Sequence, residues 1–220
     1  MIARSTLAAL VALALLAPAA EARFFGSTLR GPVNTGFGCE AAPIYNPITG
    51  QPQLVQSGQR TCTYRHVGYV NSNRFTSLVP GNGRIVRVRV RSGRNPAPLR
   101  VTILNSSSSA GGFSCCTAER FSRVIRPRAR RTSTFRMNIP VQSTRDPQRG
   151  FVTTDVVALS AVGPGTLPLR DQGVGGQYVN GAALAGFWYP LTGRGDPRVD
   201  QTNHAGLDLM FQWDFRRRRG

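Results

Sequence analysis

Helical periodicity is nearly absent after residue 22, and that constrains the fold of this chain more than any motif in it. Glycine (24 residues) and proline (15) interrupt the sequence at short intervals. Runs of β-branched and aromatic residues lie between the breaks, the pattern of a many-stranded antiparallel sandwich. Candidate strands are Phe37–Ala41, Arg60–Val67, Arg84–Arg91, Leu99–Leu104, Ser133–Val141, Thr153–Val162, Leu184–Tyr189 and Leu207–Phe215. In Arg84–Arg91 the alternation puts Val86, Val88 and Val90 on a buried face and Arg87, Arg89 and Arg91 on a wet one. In Ser133–Val141, Phe135, Met137, Ile139 and Val141 point inward. Thr153–Val162 is apolar on both faces, as a central covered strand would be. Pro80-Gly81-Asn82-Gly83 is a turn. Pro43–Gly58, Asn105–Gly112 and Gly163–Gly181 read as long loops. The fold class is therefore all-β, a sandwich of about eight or nine strands. One domain is expected over 23–215, with Arg216–Gly220 as a disordered basic tail.

Residues 1–22 read as a signal peptide. Arg4 supplies a positive charge, Leu7 to Leu16 is apolar, Pro18 breaks the run, and Ala20-Glu21-Ala22 is a small-x-small cleavage site. The apolar run is too short for a membrane span, and no later stretch approaches one. The expected location is secreted, or extracellular. In that compartment Cys39, Cys62, Cys115 and Cys116 should form two disulfides. Adjacent cysteines have Cα atoms ~3.8 Å apart, closer than an ordinary disulfide allows. Cys39 and Cys62 are thus each expected to pair with one of Cys115 and Cys116, in an order the sequence leaves open. Without a CxxC pair the four do not resemble a metal site. No metal and no cofactor are expected.

The chain has 28 basic and 10 acidic side chains, a formal net charge of +18, and every basic residue is arginine. Codon bias accounts for arginine over lysine but not for the excess over acid. Such a field attracts anionic polymers, and arginine forms forked pairs with phosphate and carboxylate. Two clusters stand out. One holds Arg87, Arg89 and Arg91, with Arg84, Arg94 and Arg100 nearby; the other holds Arg128 and Arg130, with Arg120, Arg123, Arg126 and Arg131. If the two are neighbours they form one basic face; if not, they are solvated strand and loop. No nucleic-acid module motif is present, so specific nucleic-acid binding is not expected. An acidic polysaccharide or a cell-wall phosphate polymer is the expected partner, and the sequence leaves the oligomeric state open.

No catalytic signature follows residue 22. There is no GxSxG and no HExxH, and the only histidines are His66 and His204. A glycosidase needs two facing carboxylates, for which Asp155 with Asp208 is the candidate pair. Phe187-Trp188-Tyr189 is the best sugar-facing segment, with Trp188 and Tyr189 as candidate contacts, although residues in a row on a strand alternate faces and one at least belongs to the core. Trp213 reads as core. Arg194-Gly195-Asp196 in a Gly/Pro turn reads as a chance tripeptide, and Asp196, Asp200 and Asn203 do not match a known calcium-loop spacing.

The run Val79-Pro80-Gly81-Asn82-Gly83-Arg84-Ile85-Val86, then Arg89-Val90-Arg91-Ser92-Gly93, Leu99-Arg100-Val101, Cys115-Cys116, Asn138-Ile139-Pro140-Val141 and Asp155-Val156-Val157-Ala158-Leu159, resembles exported β-sandwich proteins of actinobacteria that have no established activity. The resemblance covers roughly residues 27–170 and implies a jelly-roll-like sandwich. The expected function is non-enzymatic: a secreted binding or cell-envelope-associated protein with a basic face for anionic polymers or glycans. The alternatives are a glycan-active hydrolase on the same scaffold and a structural surface protein without ligand.

Overall fold

The computed structural model describes residues 23–45, 52–70, 77–109, 112–146, 151–188 and 202–218, apart from 57, 59, 175, 176 and 178. They form two main sheets. The first has the order β1 (Arg23–Gly26), β15 (Phe211–Arg217), β5 (Gly83–Arg91), β8 (Thr132–Val141). The second has the order β13 (Thr202–Ala205), β12 (Ala183–Trp188), β4 (Cys62–Tyr69), β10 (Phe151–Ala161), β6 (Leu99–Ser109), β7 (Gly112–Phe121), with β9 (Ser143–Asp146) also on β10. Two small ribbons pair β2 (Ala41–Tyr45) with β3 (Pro52–Gln56) and β11 (Leu169–Asp171) with β14 (Leu207–Leu209). Every one of these strand pairings is antiparallel.

The core lies between the main sheets. Ile85, Val88, Val90, Phe211 and Trp213 from the first meet Tyr64, Leu99, Val101, Ile103, Val157 and Leu159 from the second. Each such burial contributes about 1.5–3 kcal/mol. Trp213 is 1 % exposed, and Phe25 stacks on it with ring centroids 4.5 Å apart. The all-β sandwich expected from the sequence is what forms. The second face of β10 is covered too, as its apolar run required: Val156 and Ala158 are fully buried with Leu104, Ala118 and Cys116. Beside them Ser160 Oγ shares hydrogen bonds with Thr63 Oγ1 (2.8 Å) and Thr102 Oγ1 (2.6 Å), which satisfies three buried hydroxyls across three strands.

The strand count is higher than expected, with fifteen strands among the described residues. The Pro43–Gly58 segment contains the β2–β3 ribbon, and the serine tract belongs to β6, where Ser106, Ser107 and Ser108 pair with both β10 and β7. Serine has little strand preference of its own, but a strand bonded on both sides holds it. Phe37 to Glu40 are outside any strand. The Leu207–Phe215 segment divides at Met210, whose carbonyl accepts from Arg91 N–H while its own N–H donates to Pro168. β15 carries its pairing through Arg216 and Arg217, two residues into the segment expected as a tail; residues 219–220 lie outside the described residues.

The alternation on β5 is corrected in detail. Ile85, Val88 and Val90 are fully buried, whereas Val86 is half-buried, and both neighbouring strands slip register there: Ile85 faces Ile139 and Phe215, and Arg87 faces Arg136 and Asp214. Against β15, Val86 is the extra residue of a β-bulge, whereas β8 uses three steps from Ile139 to Arg136 for the two from Ile85 to Arg87. Strict alternation would have carried Arg84 into the core and Ile85 out of it, a costly exchange. Gly83 opens the strand because a Cβ there would lie 2.3 Å from the Arg216 carbonyl oxygen.

The disulfide pairing also differs from expectation. Cys39 bonds to Cys62, with Cα atoms 5.5 Å apart and a sequence separation of 23. Cys62 opens β4, whereas Cys115 and Cys116 lie on β7, three strand spacings across the sheet. That is about 14 Å, twice the reach of a disulfide. Cys116 is itself disulfide-bonded; the side chain of Cys115 lies outside the described residues. The Cys39–Cys62 loop length corresponds to about 3 kcal/mol of stabilisation.

Candidate functional site

The outer face of the first sheet gathers the arginines. The bulge at Val86 returns Arg84 to the side that holds Arg87, Arg89 and Arg91. Arg136 of β8 lies opposite Arg87, Arg84 lies opposite Arg216 of β15, and Thr134 and Thr132 flank Arg89 and Arg91. Like charges placed opposite one another across a ladder destabilise it. One carboxylate relieves this: Asp214 is 2 % exposed and accepts a hydrogen bond from Arg87 Nε. The other described side chains of this face on β5, β8 and β15 are arginine, threonine, asparagine, proline, glutamine and the bulged valine. Basic charge therefore exceeds acid by several units on one open surface.

Phe24 of β1 completes the face. It is 46 % exposed, and the Arg89 guanidinium lies 4.0 Å from its ring centroid and that of Arg87 5.5 Å. Stacking on a ring holds a guanidinium while leaving its edge able to donate. Phe24 stands beside the cleavage-site sequence, and its isolated Phe-Phe pair gave no sign of this role; pairing with β15 supplies it.

The second arginine cluster joins the first. Ser92 N–H donates to the Arg131 carbonyl (3.0 Å) and Arg130 N–H to the Gly93 carbonyl (2.8 Å). These bonds seat the Arg126–Arg131 turn at the end of β5. Arg128, Arg130 and Arg131 are exposed there, and Arg130 holds the left-handed region at φ 54°, at a cost of about 1–2 kcal/mol for a non-glycine residue. The two clusters are thus neighbours through their backbone. Trp188 is not with them: it belongs to β12 in the other sheet, paired with Thr63. Tyr189, the Arg194-Gly195-Asp196 tripeptide and Asp200 lie outside the described residues.

The two carboxylates considered as a catalytic pair belong to separate networks. Asp155 is fully buried. Its Oδ2 accepts from Gln142 N–H (2.8 Å) and lies 3.3 Å from Arg120 Nη1, which also donates to the Pro140 carbonyl. This arrangement anchors the chain where it crosses from β8 to β9. Burial pushes the Asp155 carboxyl above its ordinary range, more than the Gln142 N–H and Arg120 pull it down. A carboxyl raised in the folded state stabilises most when protonated, and that contribution is lost as pH rises through the raised value. Melting temperature should therefore gain as pH falls from neutrality towards about pH 4. Asp155→Asn should flatten that part of the curve; an unchanged slope would assign the pH dependence to other groups.

Asp208 is the centre of the second network, which the sequence reading missed. Its Oδ2 accepts from Ser27 Oγ (3.0 Å), and its Oδ1 lies 3.2 Å from His66 Nε2. Ser27, His66 and Asp208 are all at most 2 % exposed. Tyr69 packs edge-on to His66, ring centroids 5.0 Å apart, and burial, then the Asp208 charge, pushes its phenol up. The carboxylate stands between serine and histidine. In a nucleophilic triad the imidazole stands there and takes the hydroxyl proton. Here the hydroxyl donates to a carboxylate out of reach of solvent, so the group ties three chain segments together. Pairing of β14 with β11 and its packing against β4 and β12 place Asp208 near residues 27 and 66, and nothing in the local sequence signals it.

Among the described residues no three His, Cys, Asp or Glu side chains come together as a metal site, and no helix is long and apolar enough to cross a membrane. Family models, curated proteins and solved structures were compared with the chain, and none matches it.

Proposed function

We propose that this is an exported, non-enzymatic binding protein of the cell envelope, which holds anionic polymers on the outer face of its first sheet. The observation that carries the reading is the shared face of Arg84, Arg87, Arg89, Arg91 and Arg136, whose described acid, Asp214, is buried under Arg87. The leader-like residues 1–22 and the Cys39–Cys62 disulfide support an extracellular setting. The exposed turn with Arg128 and Arg130 extends the same surface.

Net charge alone would attract polyanions anywhere on the molecule, so the test compares two variants of equal charge. Arg89→Gln/Arg91→Gln/Arg136→Gln removes three charges from the face. Arg60→Gln/Arg145→Gln/Arg170→Gln removes three from outside both clusters, before β4, on β9 and on β11. On a wall-polymer or polyphosphate matrix the face variant should elute at much lower salt, with the slope of log affinity against log salt reduced by about 2. The control variant should elute close to the parent. Equal loss in both would reduce the reading to non-specific charge.

A further inference from the structure

The proposed anion-binding face has a direction and a period. Arg87, Arg89 and Arg91 are two ladder steps apart against β8, and the bulge at Val86 takes one residue out of the β15 ladder, so Arg84 follows two steps from Arg87 against β15 and four against β8. Two steps of a strand are about 6.7 Å, so Arg87, Arg89 and Arg91 span about 13 Å, and Arg84 lies beyond them across the bulge. They form a row along a single strand, evenly spaced from Arg87 to Arg91, prolonged by the Arg128–Arg131 turn at one end and with Arg216 beside Arg84 at the other.

From this row we infer that the ligand is a linear, flexible phosphodiester polymer that lies along β5, one phosphate to each arginine. The inference rests on the anion-binding reading of this face. An open row of single charges suits a chain of singly charged groups. A compact anion needs several donors converging on one point, and this row does not converge. Flexibility is required because a strand twists along its length, so a stiff polymer meets two arginines and departs from the third. Among the described residues the face also lacks a free ring on which a sugar would stack: its exposed aromatic, Phe24, already carries Arg89 at 4.0 Å. Guanidinium forks match phosphate oxygens two at a time. Arg87 keeps this capacity, because its bond to Asp214 uses Nε.

The test is calorimetric titration of the full mature chain with poly(glycerol phosphate) of one to eight repeats, beside an oligouronate series of matched charge. Affinity should climb with each repeat up to about four and then level off. The salt slope should reach about −3 for chains of four or more, and Arg89→Gln should lower its magnitude by about 0.7. A single repeat that binds as tightly as eight would overturn the row in favour of a point site. Oligouronates that bind as well as the phosphodiesters would overturn the phosphate assignment in favour of an acidic polysaccharide. Either result leaves the anion-binding face standing, whereas failure of both series to bind at low salt removes the face itself.

Discussion

Trp213→Ala is expected to destabilise the protein by about 4 kcal/mol, a fall in melting temperature on the order of 10 °C for a chain of this size. Trp213 is 1 % exposed and lies on the inner side of β15, paired with Val88 on one flank and Phe25 on the other. Removing the indole opens a cavity between the sheets and strips Phe25 of its stacking partner at 4.5 Å. β1 is an edge strand of only four residues, so Phe25 carries much of its attachment. Loosening β1 also unseats Phe24 beneath Arg89, and polyanion affinity should fall although Trp213 touches no part of the face. Trp213→Phe keeps a ring in the stack and should lose less than half as much. Denaturant midpoints give the comparison, and equal losses for the two variants would mean that the stack contributes nothing beyond volume.

Asp208→Ala should cost about 1–3 kcal/mol, the usual penalty for leaving a buried polar group without its partner. Ser27 Oγ then loses its acceptor at 3.0 Å and His66 Nε2 its neighbour at 3.2 Å, both in places that water does not reach. Asp208→Asn keeps an acceptor for Ser27 and should fall between parent and alanine variant. The anion-binding face should be untouched once the variant is folded, because this network lies outside the first sheet's outer surface. A loss under about 1 kcal/mol would mean that the site relaxes or admits water.

The parts of the fold that could be read from sequence are those where one strand carries its own pattern. Ser133–Val141 alternates cleanly and does so in the structure, with Phe135, Met137, Ile139 and Val141 inward. Thr153–Val162 is apolar on both faces and is covered on both. What escaped was decided between distant segments. The serine tract is strand because β10 and β7 flank it, and the disulfide follows from where the turn at Cys39 meets the start of β4. Arg84 to Arg91 is the instructive intermediate case. Its alternation was visible, but the two successive apolar residues Ile85 and Val86 leave two phases open. The rejected phase buries Arg84, a cost visible only once both ends of the strand are considered. In the candidate site, the arginines were found from their density and Phe24 was not, because a lone aromatic acquires meaning only from the cations placed over it.

The extra residue at position 86 has a consequence for how this protein can vary. On either side of it the side chains are already in phase: Arg84 outward and Ile85 inward before it, Arg87 outward and Val88 inward after it. An in-frame loss of that single codon would therefore restore an uninterrupted ladder with β15 without exchanging any residue between inside and outside, and would leave the irregularity to β8. Homologous chains one residue shorter at this point would still present the same arginines at the same pitch. Alignments that penalise the gap would hide that equivalence.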